Sequence, residues 1–335
     1  MKNQIRYAFL VTFIFFLTSC GTSNSMRHQP DLTGYENAVP VVKKQSSSIL
    51  YTGNNFLLKN KQNLWELYVE GDPLERGMAI GSLTDSLLKK QEYIFFDKIN
   101  NIVPSHFKKQ LLRSFLKWYN RKLYLNVTNE YQSEIFGISR YAPLNLNYIA
   151  PNFLRDLYLH GAHDIGHAVQ DLALVGCTSF AVWGDKTEDG SLILGRNFDF
   201  YAGDPFAKDK IVAFIKAKDG HPFMMVTWPG MIGVCSGMNK EGLTVSINAS
   251  KSKIPLMAKT PISILTREII QYASTIEEAL VIAKKRKVFV SESIMVGSAK
   301  DNKAVLIEIS PDKLDVFDVA SNNKLICSNH FRVKD

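Results

Sequence analysis

The chain has 335 residues, 46% of them hydrophobic and 21% charged, with 20 glycines and 12 prolines. That composition belongs to a folded globular protein and excludes a mainly disordered, collagen-like or coiled-coil chain. The net charge is +8 and the mean hydropathy −0.07, which argues against a polytopic membrane protein. The basic residues are spread out apart from Lys284-Lys285-Arg286-Lys287, which read as the solvated end of a helix. No basic groove interleaved with aromatics is visible, so no nucleic acid partner is expected, although weak attraction to anionic surfaces follows from the charge. The four cysteines (Cys20, Cys177, Cys235, Cys327) are too few for a disulfide scaffold and contain no Cys-x-x-Cys, so neither a structural metal nor a cofactor is expected.

Lys2 and Arg6 precede an apolar run from Tyr7 to Leu17. As a helix this run spans only about 16 Å, too short for a bilayer core but right for the apolar region of a secretory signal. It ends in Leu17-Thr18-Ser19-Cys20-Gly21, which resembles a bacterial lipoprotein box. Residues 1–19 are therefore expected to be removed and Cys20 lipidated. Gly21 after the cysteine favours the outer membrane of a Gram-negative cell. Residues 20–60, rich in Ser, Asn, Gln and Lys, read as a flexible tether to an exported, envelope-anchored domain.

From about Trp65 to Leu174 the patterns are helical. Pro73 opens one helix, and His106 to Tyr119 and Asn152 to Ala173 read as others. From Cys177 short strands take over at Thr178–Trp183, Leu192–Phe200, Ile211–Lys216, Phe223–Trp228 and Gly242–Asn248, with Asp189-Gly190 as a turn signal. Two helical stretches follow, Pro261–Tyr272 and Ile276–Lys284. Strands then return at Ser293–Gly297, Ala304–Ile309, Leu314–Val319 and Leu325–Asn329. The order predicts an α+β fold of antiparallel sheets with helices on their faces.

The chemistry centres on Val175-Gly176-Cys177-Thr178-Ser179-Phe180, followed by Gly195-Arg196-Asn197-Phe198-Asp199. A hairpin between these segments brings Arg196 and Asp199 near Cys177. Arg196 lowers a thiol pKa by stabilising the thiolate, and Asp199 holds an amine or orients Arg196. Positions i and i+3 of a regular strand face opposite sides, so the two share a site only at a strand end, a bulge or a strong twist.

Cys177-Thr178-Ser179, Gly195-Arg196-Asn197-Phe198-Asp199, Asn239-Lys240-Glu241-Gly242-Leu243 and Ser328-Asn329-His330-Phe331 together resemble the N-terminal-nucleophile (Ntn) hydrolases of the penicillin acyltransferase type. Bile-salt hydrolases and acid ceramidase are more distant relatives. Upstream, Trp65-Glu66-Leu67, the segment Gly71-Asp72-Pro73-Leu74-Glu75-Arg76-Gly77, and Gly81 resemble the opening of that family's pro-segment. The resemblance implies a four-layer αββα sandwich, a helical pro-segment over residues 61–176 and a catalytic core over residues 177–335. It also implies autocleavage between Gly176 and Cys177, after which the two chains stay associated. The freed Cys177 α-amine, with a reference pKa of about 7.7–8.0, then serves as base for its own thiol. By the same resemblance Asn248 donates to the oxyanion, Asn329 is a second active-site asparagine, and Arg196 and Asp199 position the cysteine and a small acyl-amide substrate. Relatives usually continue well beyond the Asn-His-Phe segment, whereas this sequence ends at Asp335, so the C-terminal layer is expected to be reduced or cut short.

Other readings stay open. Cys177 is also compatible with an uncleaved Cys–His thiol hydrolase, and the chain with a non-catalytic envelope-binding lipoprotein. His160, His163 and His167, with Asp164, line one helix face but lack the H-E-x-x-H pattern and read as a polar face rather than a metal site. Cys235 and Cys327 read as buried thiols. Trp228-Pro229-Gly230 and Met231 are either an ordinary turn or part of an acyl pocket.

Overall fold

The computed structural model describes residues 22–35, 42–46, 48–162, 164–165, 175–200, 203–250, 257–319 and 322–333. The signal segment and Cys20 lie outside the described residues, as do His163 and His167. The chain opens with strands β1 (Lys43–Ser46), β2 (Ile49–Thr52), β3 (Asn55–Lys59) and β4 (Trp65–Gly71). Helices α1 (Pro73–Leu83), α2 (Asp85–Ile102), α3 (His106–Tyr119), α4 (Asn129–Ser139) and α5 (Asn152–His160) follow. Then come β5 (Val175–Val182), β6 (Ile193–Phe200), the short α6 (Asp204–Ala207), β7 (Ile211–Ala217), β8 (Phe223–Thr227), β9 (Ser236–Asn239) and β10 (Leu243–Ala249). The last elements are α7 (Ile262–Tyr272), α8 (Ile276–Lys285), β11 (Glu292–Ser298), β12 (Lys303–Ile309), β13 (Leu314–Phe317) and β14 (Lys324–Cys327).

Two sheets result, one in the order β1-β2-β3-β4-β7-β8-β9-β10-β11-β12-β13 and one in the order β14-β5-β6. Every pairing is antiparallel except β4 with β7, which is parallel and joins Trp65 to Ile211 and Gly71 to Ala217. The alternation of strand side chains separates the layers. Ile294 and Val296 of β11 pack into the main core with Ile262, Leu265 and Ile269 of α7, while Met295 between them meets Ala181, Trp183 and Leu325 of the small sheet. The α+β expectation and its stacked sheets are met. On the outer face of the small sheet Phe180, Ile193 and Ile326 are about half exposed, so the described residues supply three layers of the expected four.

The pro-segment motif has a packing role. Glu75 accepts from the Asp72 N–H at 3.1 Å and Pro73 occupies the first turn, which starts α1. A Cβ on Gly77 would lie 2.0 Å from the Glu134 carbonyl oxygen, and one on Gly137 would lie 2.7 Å from the Met78 nitrogen, so α1 and α4 cross in backbone contact. The crossing buries Glu134 between Arg76 (2.7 Å) and Arg267 (3.1 Å).

Two sequence expectations are corrected. Part of the expected tether is folded: β1, β2 and β3 extend the large sheet, and Leu57 is buried. Residues 22–27 are helical, and His28 Nε2 hydrogen-bonds Gln132 Oε1 at 2.6 Å. The polar composition there is that of edge strands rather than of a linker. Secondly, Trp65–Gly71 is a strand, stabilised by pairing with β7 far along the chain. The helix expected over Asn152–Ala173 runs to His160 as α5, and residues 166–174 lie outside the described residues.

Candidate active site

The β5–β6 hairpin builds the site with an unbroken register: Gly176 faces Asp199, Cys177 faces Phe198, and Ser179 faces Arg196. Cys177, Ser179, Arg196 and Phe198 therefore share the inner face, and Gly176 and Asp199 share the outer one. There is no bulge, so Arg196 and Asp199 do not meet. Asp199 is exposed, and its Oδ2 lies 3.7 Å from where a Gly176 Cβ would be. The two residues thus flank the Gly176–Cys177 peptide from opposite faces.

Cys177 is buried and packs with Ala249 and Phe198. Its backbone N–H donates to Asn329 Oδ1 at 2.8 Å, and Asn329 Nδ2 donates to the Ala249 carbonyl at 2.7 Å. Asn329, just beyond β14, thereby ties the expected nucleophile to the end of β10. Burial pushes the Cys177 thiol up from its ordinary pKa, opposed first by the Arg196 guanidinium. The thiol is accordingly held protonated in the uncut chain.

Arg196 is anchored by neutral groups. Nη1 donates to the Cys235 carbonyl (2.9 Å) and to Ser236 Oγ (2.7 Å), Nη2 donates to the Ile247 carbonyl (2.8 Å), and the guanidinium stacks on Phe198 at 4.5 Å. Burial pulls its pKa down. Asn248 Oδ1 accepts from Ser179 Oγ at 3.0 Å, which fixes the amide, and its buried Nδ2 has no acceptor among the described residues. A fixed donor with unspent capacity is what an oxyanion requires.

The structure thus gathers Cys177, Arg196, Asn248 and Asn329 and sets Asp199 across the strand from them. Sequence reasoning missed Ser179, the residue that orients Asn248; its motif position beside Cys177 was the available signal. It also missed Glu292, a fully buried carboxyl opposite Ala249 in β11, held well above the usual carboxylate range by burial and by Asp164. A glutamate at the head of the Ser293–Gly297 strand pattern was the clue. His160 is a core residue: Nδ1 donates to the Asp156 carbonyl (2.8 Å) and Nε2 accepts from the Ile232 N–H (3.0 Å), which occupies both ring nitrogens. Burial lowers its pKa to about 4. Among the described residues no histidine hydrogen-bonds Cys177. Cys235 and Cys327 are free and buried, with their pKa values raised by burial to about 12 and about 11.

A cavity of about 100 Å³ lies beside the site. Residues Trp228, Pro229, Gly230 and Met231 line it together with Phe95 of α2 and with Phe198, the side chain that packs on Cys177. The segment is thus a cavity wall rather than an isolated turn.

An uncharacterised protein of Archaeoglobus fulgidus is 26% identical over 275 residues, 75% of this chain and 44% of that protein. The chain spans about half the length of the curated relatives it matches first. Among solved structures, a Caenorhabditis elegans N-acylethanolamine-hydrolyzing acid amidase ortholog is 22% identical, covering 47% of this chain and 71% of that one with a TM-score of 0.39. A mutant of the conjugated bile acid hydrolase from Clostridium perfringens is 18% identical, covering 47% and 54% with a TM-score of 0.35. Residues 186–335, which carry Arg196, Asp199, Asn248 and Asn329, match the sequence profile of the acyl-coenzyme A:6-aminopenicillanic acid acyl-transferase family, and the resemblance read from the motifs is met there.

Proposed function

We propose that the chain is the precursor of an Ntn cysteine amidohydrolase or acyltransferase, cut by its own chemistry between Gly176 and Cys177. The supporting observation is what surrounds Cys177: the Asn329 oxygen on its nitrogen, the Arg196 guanidinium near its thiol, and Asn248 held by Ser179 two residues along the same strand face. In the first step the thiol gives up its proton and adds to the Gly176 carbonyl carbon. The C–N bond breaks as the nitrogen of Cys177 takes up a proton, leaving a thioester. Water hydrolyses the thioester, yielding a Gly176 carboxylate and a Cys177 that carries a free thiol and a free α-amine. That amine accepts the thiol proton in later turnovers. Asn248 stabilises the oxyanion, and Asp199, across the strand, suits an ammonium group. The substrate is a small acyl-amide with its acyl part in the cavity, and the thioester passes to water or to an amine.

The two pieces have reason to stay together. β4 precedes the cut and pairs with β7 beyond it, and Glu134 precedes the cut and binds Arg267 beyond it. We place the mature protein in the cell envelope on a Cys20 lipid, in the outer membrane. Intact mass tests the reading. Wild type should yield Cys20–Gly176 and Cys177–Asp335, each roughly half of the 37.8 kDa chain, and Cys177→Ala should remain whole. A wild type that stays whole defeats the cleavage. A cut protein that turns over no acyl amide or ester favours the non-catalytic binding reading.

A further inference from the structure

Helix α3 stands apart from the rest of the pro-segment because Tyr119 is its one buried residue. Phe107, Leu111 and Phe115 recur at a spacing of four and form a stripe along the helix. They are 68%, 55% and 44% exposed. Two further apolar side chains extend the surface: Ile102 at the end of α2 and Tyr148, which lies under Arg113, both more than half exposed. Scattered exposed apolar residues are ordinary, but five on one helix and its flanks need an occupant.

The charge of the segment indicates which occupant. From Lys98 to Asn129 the sequence has seven Lys or Arg and no Asp or Glu. The cations are Lys98, Lys108, Lys109, Arg113, Lys117, Arg121 and Lys122. A helix about 10 Å across keeps those on α3 within about a Debye length, ~8–10 Å, of any surface the stripe touches. Arg121 lies flat on Trp118 at 4.4 Å, an amphipathic arrangement at the end of the same helix. An apolar stripe on a wholly cationic segment complements a surface that is apolar within and anionic at its rim.

We propose that α3 and its flanks are a docking surface for an anionic lipid bilayer, with Phe107, Leu111 and Phe115 entering the interface and the surrounding cations meeting the headgroups. This contact is made by the folded protein itself and does not depend on a lipid on Cys20 or on the chemistry of Cys177. Three side chains give weak, reversible, salt-sensitive binding rather than insertion. Phe95 of the cavity wall and Ile102 of the docking surface are seven residues apart on α2, about 10 Å of helix rise. Docking therefore holds the cavity close to the lipid interface.

The test uses the full chain with Cys20→Ser, so that no acyl anchor contributes, and Ser114→Cys carrying an environment-sensitive dye at the edge of the stripe. Vesicles of equal parts phosphatidylglycerol and phosphatidylcholine should shift the dye emission to the blue. The shift should fade at about 0.5 M salt and be largely absent with phosphatidylcholine alone. Phe107→Ser, Leu111→Ser and Phe115→Ser together should weaken binding at least about tenfold while the fold, read by circular dichroism, is kept. Because the dye reports on α3 alone, vesicle binding through residues 7–17 that leaves α3 in water gives no shift and overturns the proposal. Equal shifts on both vesicle types overturn it, and so does a lipid-independent shift that grows with protein concentration, which would make a second copy the occupant.

Discussion

Two arginine sites in this protein do opposite work. Around Glu134, Arg76 and Arg267 converge on one carboxylate, with Glu130 adding a second contact to Arg76 at 3.2 Å. Burial opposes the ionisation of Glu134, yet Arg267 and Arg76 hold its pKa below the usual range. Charge is cancelled there, and the product is a rigid junction between α1, α4 and α7. Around Cys177, Arg196 is bound by two carbonyls and a hydroxyl and, among the described residues, makes no ion pair. Its charge is left to act on the thiol. A buried cation with a carboxylate partner reads as scaffold, and one held only by dipoles reads as part of a site.

The contrast predicts that stability and activity will separate. Glu134→Gln keeps the size of the side chain but leaves two guanidinium groups facing a neutral amide. Removing one partner of a buried ion pair costs roughly 3–5 kcal/mol. The expected result is the largest loss of stability of any change proposed here, read as a fall in the urea midpoint in a Cys177→Ala background that keeps the chain whole. His160 comes next, and its effect is a pH dependence. Its folded pKa of about 4 lies below the usual 6.5, so its contribution is complete above pH 6.5 and drains as pH falls toward 4. By pH 4 the loss approaches about 3 kcal/mol. Glu134, whose folded pKa is also depressed, loses its contribution only below the usual carboxylate value of 4.5, whereas the buried carboxyls of Glu292, Asp156 and Glu92, held above their usual range, favour the fold as pH falls. The histidine is therefore read as a difference: between pH 6.5 and 5, His160→Gln should lose less stability than its parent as pH falls.

Arg196→Met should reverse the pattern seen at Glu134. Three hydrogen bonds, each worth about 0.5–1.5 kcal/mol net, are lost, offset in part because a desolvated charge is removed with them. Cleavage and turnover should slow by about 100-fold or more, because the thiolate loses its supporting charge. Arg196→Lys keeps the charge but cannot bridge the Cys235 and Ile247 carbonyls and Ser236 together, so its rates should fall between the two. Rates as fast as wild type in Arg196→Met would place this arginine with the scaffold. The assays are time-resolved intact mass for cleavage and kcat/KM for turnover.

Sequence and structure agree where local pattern decides. β7 alternates buried and exposed side chains along Ile211–Ala217, and α3 ends within the residues that its periodicity marks. They part where pairing is distant. β4 is a strand because β7 lies beside it, and β1 to β3 are ordered because they continue that sheet, which no local window of polar residues reveals. Within the site, the residue types were legible but their sides were not. The i, i+3 spacing of Arg196 and Asp199 correctly warned that a regular strand separates them. Only the register showed that the separation sets one residue at the thiol and the other at Gly176. Ser179 and Glu292 escaped because their importance is relational, one through Asn248 and the other through burial behind Ala249.

Asn248 carries the comparison to its limit, since its Nδ2 has no hydrogen-bond partner among the described residues. Asn248→Ala removes one hydrogen bond, from Ser179, and relieves one buried orphan donor. The two terms oppose each other, and the net change should stay within about 1 kcal/mol. The same substitution removes the proposed oxyanion donor and should lower kcat by about 10²–10³-fold with little change in KM, because the proposed interaction forms only in the transition state. Ser179→Ala separates orientation from donation: it leaves Nδ2 in place but frees the amide to turn, so it should lower kcat by a smaller factor. If Asn248→Ala instead destabilised the chain by several kcal/mol and left turnover intact, the asparagine would belong with Glu134 as scaffold, and the oxyanion would need another donor.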